Sequence, residues 1–202
     1  VSHDSSCSWI YKGEEVTVNS WKSLNKLLNR VCCEVYRKTP IIRNELFNKQ
    51  KLSSAISLAR VRLLDAMLEK SDIEDFGFPK DACPPEKTIY YTLFQSTGIH
   101  RKNKNGVYVL GEPQNELVLT IWKECEKFIT STVDKPRKLS ELIKILKTQP
   151  YKLKQGVIEF WIPIFLYIKQ QDFALYNGSG TYVINITKEV FELIQKHPAE
   201  FE

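Results

Sequence analysis

The sequence VIEFWIPIFLYI, residues 157–168, is the longest apolar stretch of the chain. Its twelve residues fall well short of the roughly 20 that a helix needs to cross a bilayer. Drawn as a helix, the stretch has apolar side chains around nearly its whole circumference, and helices of that kind are buried. We therefore predict a buried helix over residues 157–170, kinked at Pro163, which removes one backbone hydrogen bond.

The length and composition around this stretch are those of a globular protein. The 202 residues suffice for one large domain or two small ones, and a hydrophobic content of 43% supports a core. The five cysteines are an odd number without a C-x-x-C pair, which favours reduced thiols. His3 and Cys7 could form half of a metal site, the alternative being a frayed terminus. Because the chain begins at Val1 and shows no basic-then-apolar leader, we expect a cytoplasmic fragment of a longer protein.

Residues 1–134 are predicted to form a mostly helical domain with a small β-hairpin. The hairpin covers residues 8–18 and turns at Lys12-Gly13. Helices are predicted at about 21–38, 54–71, 85–96 and 115–132, and a short strand at 107–110. Their starts are indicated by capping residues, Asn19 or Ser20, Ser53 or Ser54, and Gln114 or Asn115, and by Pro85 as a first helical residue.

Residues 135–202 show the order of elements of a winged helix. A helix begins near Ser140, the chain breaks at Pro150, and the apolar helix follows. Two β-rich runs, 173–176 and 181–184, flank the turn Asn177–Gly180 and predict a hairpin, after which Thr187 caps a last helix. The expected fold class is therefore mainly α (α+β), with a helical N-terminal part and a winged-helix-like C-terminal part.

Positive charge is concentrated between residues 135 and 154. This segment contains seven basic residues in addition to one acidic residue, Glu141, and the seven are candidates for nucleic-acid binding: Lys135, Arg137, Lys138, Lys144, Lys147, Lys152 and Lys154. A cluster of this density can neutralise several phosphates, although a solvated helix face is the alternative. Because the apolar helix that follows offers no polar side chains to the bases, any such contact is expected to be independent of sequence.

Signatures of catalysis are missing from the sequence. It contains no Gly-x-x-x-x-Gly-Lys-Ser/Thr loop, no His-Glu-x-x-His motif and no nucleophile elbow. The loop with Asp72, Glu74 and Asp75 carries carboxylates but lacks the spacing of a calcium loop. We therefore predict no catalytic residues, no metal ligands and no cofactor.

Three segments carry a resemblance to a known group of proteins. They are TPIIRNELFN (39–48), PPEKTIY (84–90) with TGIHR (97–101), and PYKLKQGVI (150–158) with PAEFE (198–202). Together they resemble the C-terminal region of very large bacterial ATPases from phage-defence and restriction-like gene clusters. The resemblance implies an accessory domain, with the nucleotide-binding domain upstream, and it transfers no catalytic residue.

The resemblance also singles out four polar residues, Asn44, Glu45, His100 and Arg101, as interface candidates. Their alternative role is to cap helix ends and to tie the two parts together. The favoured function is a non-catalytic module that contacts a protein partner or the rest of the parent chain, with sequence-independent binding to the DNA backbone as an additional activity and no membrane contact. The alternatives are a stand-alone winged-helix DNA-binding module and a fragment of a metal-dependent nuclease.

Three structural features discriminate among these functions. An exposed patch formed by the basic residues of 135–154 would favour DNA. An exposed apolar patch around Trp161 would favour a protein partner. Carboxylates converging around Asp72 would favour an enzyme.

Overall fold

A computed structural model describes residues 8–202 of the chain. Its residues form two compact units, the first ending at Arg37 and the second running from Lys38 to Glu202. His3 and Cys7 lie outside the described residues.

The first unit is a β-hairpin followed by a helix. Strands β1 (Trp9–Tyr11) and β2 (Glu14–Val16) pair antiparallel, with Trp9 opposite Val16. Helix α1 (Trp21–Val35) begins with a capping box, in which the backbone N–H of Ser23 donates to the Ser20 hydroxyl and the N–H of Ser20 donates to the Ser23 hydroxyl. Both the hairpin and the cap at Ser20 are confirmed, and the helix ends three residues earlier than predicted.

The second unit contains six α-helices and one small antiparallel hairpin. In chain order the elements are α2 (Ser54–Glu69), α3 (Pro85–Tyr90), β3 (His100–Lys102), β4 (Tyr108–Leu110), α4 (Glu116–Thr130), α5 (Leu139–Lys147), α6 (Gln155–Lys169) and α7 (Lys188–Lys196). The predicted starts at Ser53, Pro85 and Asn115 are confirmed, because Ser53 and Asn115 cap α2 and α4 and Pro85 is the first residue of α3. The described part of the chain is therefore helical with two small hairpins, an α+β fold.

Helix α6 lies at the centre of the core. Ten of its residues are buried, in a run broken only by Glu159 between Gly156 and Leu166. The indole of Trp122 on α4 packs edge-on against Trp161 and Phe165, with ring centroids 6.1 and 4.9 Å apart. Helices α2 and α5 also contribute buried side chains to this core. The boundary predicted at residue 134 falls inside the second unit, whose core includes side chains from both sides of it.

The N-terminus of α6 contacts the backbone of the segment before α2. The N–H of Gly156 donates to the carbonyl of Lys49 over 2.8 Å. A Cβ atom at residue 156 would lie only 2.3 Å from the carbonyl oxygen of Phe47, so glycine is required by close approach of two backbones.

Two local features differ from the sequence-based expectation. Residues 173–184 do not form two strands but a turn with one bridge between Tyr176 and Tyr182. Hydrogen bonds from Asn177 to Thr181 and from Val183 to Leu175 flank this bridge, and on its other side the backbone of Tyr176 pairs with Glu202 over 2.8 and 3.0 Å. In addition, residues 100–102 form strand β3 against β4, with His100 opposite Leu110, a strand that the polar sequence HRK did not indicate. No helix among residues 8–202 combines the length and the hydropathy needed to cross a membrane.

The contact at Gly156 generates a prediction about stability. We expect Gly156→Ala to lower the free energy of unfolding by about 3 kcal/mol, because the methyl group collides with a backbone carbonyl that cannot move without displacing Phe47. The measurement is urea unfolding followed by tryptophan fluorescence. Gly178→Ala is the matched control, since its Cβ would lie 3.1 Å from the Cβ of Glu200 and 3.5 Å from its backbone oxygen, with no contact as short as that at Gly156, and we expect a loss below about 1 kcal/mol. Equal losses in the two variants would contradict the close-approach argument.

Candidate functional site

Three of the seven basic residues of 135–154 are engaged in contacts within the protein. The guanidinium of Arg137 pairs with Glu141 at 2.9 Å and lies 4.5 Å from the ring centre of Phe128. Lys138 forms an ion pair with Glu202 at 2.7 Å, and Lys154 donates to the carbonyl of Asn48 over 3.1 Å. The hydrogen bond from Arg137 holds the pKa of Glu141 below its usual value, which keeps an anion among these cations.

The other four, Lys135, Lys144, Lys147 and Lys152, are exposed and form no ion pair with any residue in the described range 8–202. Lys144 and Lys147 are exposed on α5, whose buried residues are Leu139, Leu142 and Leu146. Four ammonium groups of this segment are thus without a hydrogen bond or ion pair in the described chain, and Lys154, which donates to a neutral carbonyl, also keeps its charge uncompensated.

His100 is buried in the second unit, only 3% exposed. Its Nε2 lies 2.9 Å from the carbonyl oxygen of Ser71, which can only accept, so Nε2 carries the hydrogen. The hydroxyl of Tyr90 therefore donates to Nδ1, over 2.7 Å. Burial lowers the pKa of His100, and the imidazole is neutral.

The remaining interface candidates differ in exposure. Asn44 is buried and joins two segments, since its amide donates to the Thr92 hydroxyl over 2.9 Å and its carbonyl accepts from the N–H of Leu46 over 3.0 Å. Arg101 donates to the carbonyl of Glu112 over 2.9 Å. Glu45 is exposed. Asn44, His100 and Arg101 thus form hydrogen bonds that join segments of the second unit. The interface role of these three residues and of Glu45 stays a prediction.

The acidic loop after α2 has its carboxylates bound to tyrosines. Glu74 accepts from the hydroxyl of Tyr108 over 2.6 Å, and Asp75 accepts from that of Tyr91 over 3.0 Å. Asp72 is exposed. Within residues 8–202 no group of three or more His, Cys, Asp or Glu side chains is placed to hold a metal ion. The convergence of carboxylates that would favour a nuclease is therefore not seen in this part of the chain.

A cleft of about 520 Å³ opens beside Trp161. Trp161 itself is buried, and its Nε1 lies 3.4 Å from the Sγ of Cys125. The walls are mostly apolar and come from the segment before α2, the residues after α3, helix α4, the residues just before α6, and α6 itself: Pro40, Ile41, Ile42, Leu93, Leu117, Val118, Ile121, Leu153 and Val157. Ile41 is 75% exposed.

The polar groups of this cleft are largely used within the protein. The Thr97 hydroxyl donates to the carbonyl of Leu93 over 2.6 Å, and the side chain of Asn115 caps α4. Arg43 is the one charged residue of the lining; it is exposed and has no hydrogen bond or ion pair within the described chain. The sequence-based reasoning did not identify Ile41 and Arg43 as site residues. Two isoleucines between Pro40 and a basic residue, outside any predicted helix, could have indicated an exposed apolar contact site.

A second cleft, of about 610 Å³, lies between the C-terminal ends of α4 and α6. Its charged residues all have ion-pair partners. Lys169 contacts Glu126 at 3.1 Å and also pairs with Asp172, while Arg137 pairs with Glu141 and Glu202 with Lys138. This cleft offers a partner fewer free groups than the first one.

Comparison with known proteins adds no relative, because the chain matches no family model, no curated protein sequence and no solved structure. Functional inference depends on the geometry of the two clefts and the lysines and on the three segments that resemble the bacterial ATPases.

The buried imidazole of His100 generates a prediction about pH. The pKa of a histidine in the unfolded chain is about 6.5, and that of folded His100 is lower, so the unfolded chain takes up a proton first as the pH falls. The stability that His100 provides is therefore complete above about pH 6.5 and is lost between that value and its lowered folded pKa. We expect the urea midpoint to fall between about pH 7.5 and pH 5.5, and His100→Gln to make this fall smaller.

The control for this experiment is His197→Gln. His197 is exposed and its Nδ1 lies 3.7 Å from a carboxylate oxygen of Glu200, so its replacement should not make the fall smaller as His100→Gln does. A pH dependence that disappears in His197→Gln and persists in His100→Gln would refute the assignment.

Proposed function

We propose that the chain is a non-catalytic interaction module of a larger bacterial ATPase of the defence type, and that it binds a partner protein, or the rest of the parent chain, through the cleft beside Trp161. The ATPase context is supported by the resemblance of the three sequence segments. The binding activity is supported by one observation, an open apolar cleft with a single unpaired guanidinium at Arg43.

The size and lining of the cleft suit a peptide-like occupant. Its volume of about 520 Å³ lies within the range of roughly 300–1,000 Å³ that is typical of binding pockets. The exposed side chain of Ile41 adds apolar surface to the walls. Apolar grooves of this kind accept the apolar face of a helix or a short extended segment.

The chemistry of the occupant follows from Arg43. An arginine binds a carboxylate through two parallel hydrogen bonds, and Arg43 has no such partner in the described chain. We infer that the preferred segment places two or more apolar side chains in the cleft and an aspartate or glutamate opposite Arg43.

The second candidate function is sequence-independent binding to the DNA backbone. The observation that favours it is the set of four unpaired lysines on α5 and in the flanking loops. It also draws on the winged-helix order predicted from the sequence, of which the helices α5 and α6 are present, while the turn at 173–184 has one bridge in place of two strands. Because α6 is buried, such a module would contact phosphates and not bases.

The cleft proposal is tested by panning a library of random displayed peptides against the purified chain. We expect enrichment of peptides that combine apolar residues with an acidic one, because these match the cleft and Arg43. Binding of an enriched peptide should weaken about tenfold or more in Arg43→Glu, which replaces attraction by repulsion, and in Ile41→Asp.

The matched control is Ile184→Asp, an equally exposed isoleucine outside the cleft. It should bind the enriched peptides with unchanged affinity. Enrichment of basic peptides, or equal losses in Ile41→Asp and Ile184→Asp, would argue against the cleft as the binding site.

The DNA proposal is tested by fluorescence anisotropy of a labelled duplex over a salt series. Four phosphate contacts predict a slope of about −3 to −4 in a plot of log K against log salt concentration. Charge reversal at Lys135, Lys144, Lys147 and Lys152 should abolish binding, whereas reversal of the exposed Lys22 and Lys26 on α1 should have little effect. No binding at low salt would exclude this function for the isolated chain.

A further inference from the structure

A row of polar side chains connects three helices inside the second unit. Arg60 on α2 is only 4% exposed, and its guanidinium donates to the Oε1 of Gln195 on α7. The amide of Gln195 donates to Glu159 on α6 over 3.0 Å, and the amide of Gln155 donates to the other carboxylate oxygen of Glu159, also over 3.0 Å. The carboxylate of Glu159 is thus held between two neutral amides, and Arg60 reaches it only through Gln195.

This row contains acceptors that lack donors. The Oε1 atom of Gln155 is buried without a hydrogen-bond partner in the described chain. Pro163 follows Glu159 by four residues and has no N–H, so it cannot supply the usual helical hydrogen bond to the carbonyl of Glu159. The Nε of Arg60 is also buried without a hydrogen-bond partner, but Arg60 does not line the cavity described below. Among the residues that line this cavity, the unsatisfied side-chain atom is therefore an acceptor, and because buried polar groups are almost always satisfied, it indicates that a donor belongs there.

A cavity of about 90 Å³ adjoins these acceptors, between α5, α6 and α7. Gln155, Glu159 and Gln195 line its polar part, and the remaining wall is mostly apolar, including Ile143, Ile162 and Phe191. The volume equals the share of about three water molecules in the liquid, and is below the roughly 150 Å³ that accommodates a benzene ring. A chain of about four or five non-hydrogen atoms is the size that fits.

The charges near the cavity favour a cationic donor over a neutral one. Glu159 forms no ion pair with a residue in the described range, and its two oxygens are hydrogen-bonded to amides alone. The guanidinium of Arg60 acts on Glu159 electrostatically, but Gln195 stands between the two groups, so the carboxylate has no cation in direct contact. Lys147 also lines the cavity, but it is exposed, and solvent screens its charge. Arg60 lines a separate void of about 10 Å³, room for about one water molecule.

We propose that this cavity binds a short primary alkylammonium group, with the alkyl chain against the isoleucines and the ammonium donating to the Oε1 of Gln155 and to the carboxylate of Glu159. The same chemistry belongs to a free small amine and to the lysine side chain of a partner. This site is separate from the cleft beside Trp161 and does not depend on the proposed function.

The experiment is calorimetric titration of the purified chain with n-butylamine at neutral pH, where the amine is protonated. We expect binding of n-butylammonium and affinities at least about tenfold weaker for n-butanol and butyrate, which lack the charge or reverse it. Titration with N-acetyl-lysine methylamide separates the two sources, because its binding supports a partner's lysine and its exclusion supports a free amine.

Variants locate the site. Glu159→Gln should weaken n-butylammonium at least about tenfold, while Glu45→Gln, an exposed glutamate outside the cavity, should not change its affinity. Lys147→Gln removes the competing charge and should bind the amine as well as or better than the unaltered chain. If Glu159→Gln fails to fold, as judged by its urea unfolding curve, Gln155→Leu removes the unpartnered acceptor and should also weaken binding.

Two results would overturn the proposal. One is a titration with n-butylamine that releases or absorbs no heat of binding, or an affinity for n-butanol equal to that for n-butylammonium. Either outcome would show that the cavity has no preference for an ammonium group. The other is an equal loss in Glu159→Gln and Glu45→Gln, which would place amine binding at a general acidic surface.

Discussion

Because helix α6 is apolar on almost every side, protein must surround it on almost every side. This requirement organises the second unit: α2, α4 and α5 each present buried side chains to the same core, and the segment before α2 closes over the N-terminus of α6 at Gly156. Residues on both sides of position 134 serve one core for this reason. The predicted boundary at residue 134 follows the order of the helices along the chain. The composition of the core depends instead on which helices pack against α6.

The same helix lines both proposed binding sites, on different faces. Val157 and Trp161, four residues apart, border the open cleft, while Ile158, Glu159 and Ile162 border the small cavity. The cleft is therefore a place where the covering of α6 is incomplete. The cavity is a place where the apolar helix carries polar groups, Gln155 and Glu159, that the surrounding helices satisfy only in part, through Gln195 and indirectly Arg60.

Surface electrostatics follow from contacts that are individually weak. Exposed ion pairs are screened by solvent, so the pairs of Arg137 with Glu141 and of Lys138 with Glu202 add little to stability. Their consequence is for nucleic-acid binding, because each paired carboxylate lowers the net positive charge of the surface that a phosphate backbone would contact. The lysines that keep their charge free, Lys144 and Lys147 among them, are exposed residues of α5, whose leucines point into the core.

The sequence alone determined the features that depend on neighbours a few residues apart: the burial of α6 from its long apolar run, and the starts of α1, α2 and α4 from their capping residues. It did not determine strand β3, the single bridge at Tyr176 or the boundary of the core. Nor did it determine either binding site, since the proposed roles of Arg43 and Gln195 depend on spatial neighbours that are far away in the sequence. Those features were decided by tertiary structure. A hydrogen bond or a cavity wall formed by residues distant in sequence depends on how whole helices pack, and the local periodicity of the sequence does not specify that packing.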